Sequence, residues 1–336
     1  MSASTVFITG IAGFLGSHLA ERFLEKGLRV VGCDNLLGGY RDNVPEGAEF
    51  HVIDCLDLER LTAVMKGADT VYHCAATAYE GLSVFSPFIV TQNIVDASVA
   101  TFTAAIRNEV RRIVFCSSMA RYGTNEVPFS EEMPPRPQDP YGIGKVAAET
   151  YLRNLCGVHG LEWVICVPHN IYGPRQKYDD PFRNVAAIMI NLMLQGRQPI
   201  IYGNGSQRRC FSFIEDDLPV LTRLAFQEDV TGEVINIGPD EEFVTINGLA
   251  KTIADLLEFE LRPVYMPGRP QEVELANCSA DKARRMLGYA TRYGLREGLE
   301  RTIDWIAAKG PRPFEYHLPL EIANGRCPET WARRLF

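Results

Sequence analysis

Along the first half of the chain, short apolar and β-branched runs alternate with longer stretches whose apolar positions recur at helical spacing. Runs at 5–9, 28–33, 49–53, 69–75, 112–117 and 162–168 read as strands, and stretches at about 14–26, 57–66, 85–108 and 140–158 read as helices. Alternation of this kind predicts an α/β fold: a doubly wound parallel sheet covered on both faces, with ligands at the carboxyl ends of its strands. After Gly173 the rhythm stops. Shorter elements follow, a helix at about 181–195, a strand at 199–202 and helices at 245–257 and near 280–287. The expected organisation is a sheet domain over 1–170 to which later segments return, a smaller interleaved lobe over 171–309, and a tail over 310–336. Four prolines and several aromatics, Trp331 and Phe336 among them, favour a tail that packs in extended form.

Composition narrows the class. The 336 residues are 46% hydrophobic and 23% charged, as in a globular protein, and the net charge of -8 argues against a nucleic-acid surface. No apolar run reads as long enough to cross a bilayer, and the N-terminal region lacks a signal-peptide pattern. Nine scattered cysteines without a C-x-x-C pair fit reduced thiols and a cytoplasmic setting, and they make neither a disulfide framework nor a metal site. Neither a nucleic-acid nor a membrane partner is expected.

Two patterns carry chemistry. The first strand feeds Gly10, Gly13 and Gly16, glycines at spacing three that open the first helix. Such a turn lets the backbone approach a pyrophosphate lying on the N–H groups of the helix start. The second strand ends in Asp34, an acid placed to take the ribose hydroxyls of adenosine and to repel a 2′-phosphate. NAD is therefore expected over NADP. The second pattern is Tyr141-Gly-Ile-Gly-Lys145, which stacks a phenol and an ammonium on one helical face. A lysine beside a tyrosine favours the phenolate, which suits proton abstraction from a sugar or alcohol hydroxyl.

With these motifs in place the chain resembles the extended short-chain dehydrogenase/reductase family, and within it the nucleotide-sugar epimerases, over roughly residues 5–305. The resemblance implies a Rossmann-type fold with bound NAD. Its cofactor contacts would fall on Gly10, Gly13, Phe14, Leu15, Gly16, Asp34, Asn35, Asp54, Cys55, Ala75, Ala76, Asn93, Ser117 and Pro168, together with Tyr141 and Lys145. The serine motif around Phe115–Gly123 would make Ser118 the hydroxyl that completes a catalytic set with Tyr141 and Lys145. Substrate contacts would come from Thr77, Ser118, Met119, Arg121, His169, Asn170, Asn184 and Val185, with Arg209, Arg269 and Glu272 clamping a diphosphate and its ribose. A planar guanidinium suits that task because it binds two oxygens at once. Sugar-facing loops would be 77–83, 119–122 and 170–184, where Arg121 faces either a carboxylated sugar or solvent.

The departures from the family also matter. Met119 and Ala120 stand where dehydratases and decarboxylases of the family carry acids, so elimination of water is not expected. Gly144 replaces a usual Ser or Thr before Lys145, and Thr77-Ala78-Tyr79 lacks a common lysine, leaving the helix dipole to neutralise the pyrophosphate. The expected activity is NAD-dependent 4-epimerisation of a nucleoside-diphosphate sugar, a UDP-hexose first, through a transient 4-keto sugar. Alternatives are another NDP-sugar (a sugar acid or heptose), a 4-dehydrogenase or dehydratase outcome, a 3,5- or 5-epimerase drawing on His169 or Cys210, and a catalytically silent binding protein. Apolar residues on several faces of 85–108 and 140–158 predict a homodimer.

Overall fold

The structure, a computed structural model, describes residues 4–336. The first half runs β1 (Thr5–Thr9), α1 (Phe14–Glu25), β2 (Arg29–Asp34), β3 (Glu49–Val52), α2 (Leu58–Val64), β4 (Thr70–His73), the short α3 (Glu80–Ser83) and α4 (Pro87–Thr91), α5 (Ala97–Arg107), β5 (Arg112–Cys116), α6 (Pro140–His159) and β6 (Glu162–Pro168). The second half adds β7 (Ile171–Tyr172), α7 (Val185–Leu194), β8 (Ile200–Tyr202), β9 (Arg208–Cys210), β10 (Ser212–Phe213), α8 (Ile214–Arg223), β11 (Val234–Ile237), β12 (Phe243–Thr245) and α9 (Ile246–Leu256). It ends with β13 (Val264–Met266), β14 (Leu275–Ala276), α10 (Asp281–Leu287), α11 (Leu295–Lys309) and α12 (Glu329–Ala332).

Seven parallel strands form one sheet in the order β11-β6-β5-β4-β1-β2-β3. Strand order reverses at β1, where Val6 pairs with Val30 of β2 on one side and Thr70 of β4 on the other. That reversal opens a crevice beyond the carboxyl ends of β1 and β4, as in a Rossmann-type fold. Because helices cover both faces, the strands are apolar at consecutive positions and feed two cores in alternation. Val6 and Ile8 point into one core with Val114, Val164 and Ile235, while Phe7 points into the other with Val71, Ile113 and Ile165. Each such side chain is fully buried and contributes roughly 1.5–3 kcal/mol relative to exposure.

Several expectations shift. The predicted helix over 85–108 is α4 and α5 joined by a π-turn, Gln92–Asp96. Taken as one element, Pro87–Arg107 is 21 residues long with mean hydropathy 1.3, so by length and composition it could cross a bilayer, contrary to the reading above. Here it packs against α2 and α6 as a core helix. The helix expected from 181 begins at Val185, because the Asn184 side chain caps it by accepting from the Ala186 N–H. β11, α8 and α11 were not anticipated, and β11 returns the late chain to the edge of the large sheet.

Short sheets β12-β9-β14 and β13-β8 build the smaller lobe over the crevice. Residues beyond α11 fold back across it, where Leu318 and Trp331 are buried in a separate aromatic cluster with Tyr79, Leu82, Phe85 and Phe182.

Candidate active site

A cleft of about 440 Å³ lies between the carboxyl edge of the large sheet and the smaller lobe. Its floor is the β1–α1 turn. Gly10 adopts a φ of +73°, and a Cβ there would sit 2.9 Å from the Ala75 nitrogen. At Gly16 a Cβ would lie 2.1 Å from the Gly10 oxygen, so only glycine lets helix and strand approach this closely. The first turn of α1 carries no acidic side chain, leaving the positive end of its dipole free for an anion. Asp34 closes the next strand. Its carboxylate accepts from the Ala12 N–H at 3.0 Å and the Leu36 N–H at 2.7 Å, while burial pushes its pKa up. Asn35 donates to Asp54 at 2.8 Å, fixing both at the rim.

α6 positions the reactive group. The Asp139 carboxylate caps the helix by accepting from the Gly142 N–H at 2.8 Å, and Pro140 occupies its first turn. Tyr141 and Lys145 then face the cleft one turn apart, with Ser118 beside them at the end of β5. Gly144 has a local cause: a Cβ there would stand 3.3 Å from Ile94 of the π-turn, leaving no room for Ser or Thr without a shift.

The electrostatics differ from the sequence expectation. Burial pushes the Tyr141 phenol well above its ordinary pKa, and the Ser118 hydroxyl and Arg183 pull it back. The Lys145 ammonium donates to the Cys116 carbonyl at 2.8 Å and lies 5.9 Å from the Tyr141 ring centre, directed past the phenol. Burial lowers Lys145 to about 8, opposed by neighbouring thiols and Glu149. Glu80 opens onto the same cleft and is exposed there. Desolvation first, then the charge of Asp139, raises it to about 7, with Arg209 and Arg269 pulling the other way.

On the lobe side, Arg269 forms a two-point pair with Glu272 at 2.7 and 2.9 Å and stacks 4.5 Å from the Tyr202 ring centre. Arg209 lies 3.8 Å from Glu272 and donates to the carbonyls of Arg208 and Glu274. Glu272 therefore aims two guanidinium groups into one space. Asn170, Asn184 and Val185 line the wall opposite.

All the cofactor and catalytic residues named from the sequence line this one cleft, as do Thr77, Asn170, Asn184, Val185, Arg209, Arg269 and Glu272. Met119, Arg121 and His169 do not. Met119 is buried in the core beneath the sheet. Arg121 is 2% exposed, so it does not face solvent, and it is not among the residues that line the cleft. Its guanidinium grips Glu149 of α6 at 2.9 and 3.0 Å and stacks on Tyr122. His169 is sealed behind Gly238, its Nε2 bonded to the Pro239 carbonyl at 2.8 Å. Cys210 is buried as well, its thiol directed at Asn277. Arg183, Tyr202, Gln207 and Phe336 line the cleft without having been singled out for it. Their signal is weak in sequence because three of them arrive from separate segments of the smaller lobe and the tail. Among the described residues no cluster of His, Cys, Asp or Glu is arranged to hold a metal ion.

The profile of the NAD dependent epimerase/dehydratase family matches residues 6–238. The chain belongs to this family. A UDP-glucose 4-epimerase of Mycolicibacterium smegmatis is 34% identical over 314 residues, covering 90% of this chain and 98% of that one. The structure of a UDP-glucose 4-epimerase from Thermotoga maritima with UDP-glucose superposes with a TM-score of 0.85 at 30% identity, covering 91% and 99% of the two chains. That of a Thermus thermophilus UDP-glucose 4-epimerase complex with NAD gives 0.82 at 30% identity, covering 90% and 98%. The protein is thus an NAD-dependent enzyme of nucleotide-sugar chemistry. Its own residues fit the cofactor: glycines allow the close backbone approach of the β1–α1 turn, and Asp34 stands at the strand end where this fold would place an adenosine ribose.

Proposed function

We propose that the protein inverts C4 of a nucleoside-diphosphate sugar, with a UDP-hexose as the first substrate to test. The observation that carries this reading is the convergence of Ser118, Tyr141 and Lys145 at one end of a cleft whose lobe side presents Arg209 and Arg269. The two arginines hold the diphosphate by charge-assisted hydrogen bonds, with Glu272 fixing their forks. Tyr141 takes the proton of the 4-hydroxyl as general base, and Ser118 hydrogen-bonds the same oxygen. Lys145 stays charged below its pKa of about 8 and binds the nicotinamide ribose. When bound there, NAD would supply a positively charged hydride acceptor that could return the hydride to the same carbon. Between the two transfers the sugar is a 4-ketone that turns over in the cleft, and Tyr141 then returns the proton.

Glu80 favours a second reading. A carboxyl group that lines the same cleft as Ser118 and Tyr141, and whose pKa its surroundings push up, could exchange the proton at C5, giving 3,5- or 5-epimerisation or loss of water. One experiment separates the two. A panel of UDP, GDP, ADP and CDP sugars is incubated with the enzyme in deuterated water and followed by NMR. C4 inversion with protium retained at C4 and C5 supports the first reading. Deuterium at C5, or a 4-keto-6-deoxy product, refutes it in favour of Glu80 chemistry.

A homodimer and a cytoplasmic setting complete the proposal. Phe88, Ile143 and Tyr151 are exposed on the α4–α5 and α6 helices, next to half-buried Val95, Val99 and Val146, and form an apolar face suited to a closed two-fold contact. Light scattering at micromolar concentration should return about twice the chain mass of 37.5 kDa, and a stable monomer would refute the dimer.

A further inference from the structure

We infer that the segment after α11 builds the nucleobase wall of the substrate cleft, with Phe336 as the face on which the base stacks. The inference rests on the NDP-sugar reading above and names a determinant of nucleotide choice within it.

A chain of neighbours leads outward from the reacting end. Tyr141, Glu80, Arg209 and Arg269 line one cleft, and Arg269 Nη1 would stand 3.5 Å from a Cβ on Gly81, next to Glu80. Arg269 lies 4.5 Å from the Tyr202 ring centre and 6.0 Å from that of Trp331. The Tyr202 hydroxyl bonds the Thr330 hydroxyl, and Phe336 completes the cleft lining there. This order of hydroxyl chemistry, paired arginines and aromatic rings matches the order of a nucleoside-diphosphate sugar: sugar, diphosphate, then ribose and base. A flat heteroaromatic ring is the part of that ligand that suits an aromatic wall.

The wall is held in place. The Phe336 N–H donates to the Tyr316 hydroxyl at 3.1 Å, and that hydroxyl donates to the Thr330 carbonyl at 3.0 Å. Arg197 donates to the Leu335 carbonyl at 2.8 Å, and the Phe336 ring packs 5.5 Å from that of Phe314. The Trp331 indole N–H donates to the Pro181 carbonyl at 3.1 Å, and its ring stands where a Cβ on Gly81 would be 3.2 Å away. The same segment therefore also fixes the loop bearing Glu80. An independent observation points to a ligand. Gln207 donates through Nε2 to the Tyr202 carbonyl at 2.8 Å, while its Oε1 is buried in the cleft lining without a donor. A base N–H would satisfy that oxygen.

The test is calorimetric binding of UDP, dTDP, GDP, ADP and inorganic pyrophosphate to NAD-loaded full-length protein, wild type against Phe336→Ala and Phe336→Tyr. Wild type should bind one nucleotide at least tenfold more tightly than pyrophosphate. Loss of stacking in Phe336→Ala should weaken that nucleotide by about 10-fold and leave pyrophosphate unchanged, while Phe336→Tyr keeps the margin. In turnover the alanine variant should raise KM by the same factor at constant kcat. A variant that keeps the wild-type margin, or that loses pyrophosphate affinity equally, overturns the base wall while leaving the NDP-sugar reading intact. A wild type that prefers no nucleotide to pyrophosphate overturns both.

Discussion

Replacing Arg121 tests whether it belongs to the fold or to the substrate. Arg121 and Glu149 are 2% and 1% exposed, and two hydrogen bonds of 2.9 and 3.0 Å join them. The Ser117 hydroxyl also donates to Glu149 at 2.5 Å, so the pair fastens the end of β5 to α6 directly behind Ser118. Arg121→Met leaves a carboxylate buried without its main partner. Breaking such a pair costs about 3–5 kcal/mol. The lower end applies here, because Arg153 already stands 3.5 Å from the same carboxylate and can partly replace the lost charge. Arg121→Met with Glu149→Leu removes both ions, and that double variant should recover most of the loss.

The assay is urea unfolding at neutral pH, with the midpoint and slope fitted for wild type, both single variants and the double. The expected pattern is a large fall in midpoint for each single variant and a double variant close to wild type, giving a coupling of roughly 2 kcal/mol or more. KM for the nucleotide sugar should move little in any variant that remains folded. An Arg121→Met protein with an unchanged midpoint and a KM raised for an acidic sugar would refute this reasoning, and would return Arg121 to the substrate.

Three further outcomes follow from named groups. Tyr141→Phe should lower turnover by about 10²–10⁴-fold while NAD binding, read by calorimetry, stays near wild type; near-normal activity would assign the base elsewhere. Stripped protein should bind NAD more tightly than NADP, and Asp34→Ala should narrow the gap, since the removed charge is the one that repels a 2′-phosphate. His73 is fully buried and neutral, held by Thr9 and Ser98 at 2.7 and 2.9 Å, and desolvation lowers its pKa from 6.5 to about 3. In that window the unfolded chain binds the extra proton, so stability is present above pH 6.5 and falls as pH drops toward 3. Urea midpoints across this range should fall less steeply in His73→Gln than in wild type.

The large sheet was legible because its strands are short, apolar and bounded, and because glycines at fixed spacing leave one backbone solution at Gly10 and Gly16. What escaped has local causes. β11 carries Asn236 in its middle, which reads as a loop until its amide is seen to bond the Tyr122 hydroxyl and the Phe129 carbonyl in the interior. α11 is charged over most of its surface and hides the stripe Leu295, Leu299, Ile303 and Ile306 at helical spacing. Contiguity misled at 119–121: a tight 3₁₀ turn starts at Met119, and it sends Met119 and Arg121 inward while Ser118 lines the cleft. The aromatic wall joins residues more than a hundred positions apart, which no local pattern can signal.

The Tyr141–Lys145 spacing places both side chains on the cleft, but the charge balance there differs from the one local reasoning expects. Four residues on a helix do bring the two side chains to one face. The sign of the effect on the phenol depends on where each charged end goes, and Lys145 directs its ammonium to the Cys116 carbonyl. Burial therefore wins, and Tyr141 on its own stays protonated at working pH. The groups that oppose burial, Ser118 and Arg183, both line the cleft. A positive charge beside the phenol, as the nicotinium ring of NAD would supply, would act in the same direction as Ser118 and Arg183 and against burial.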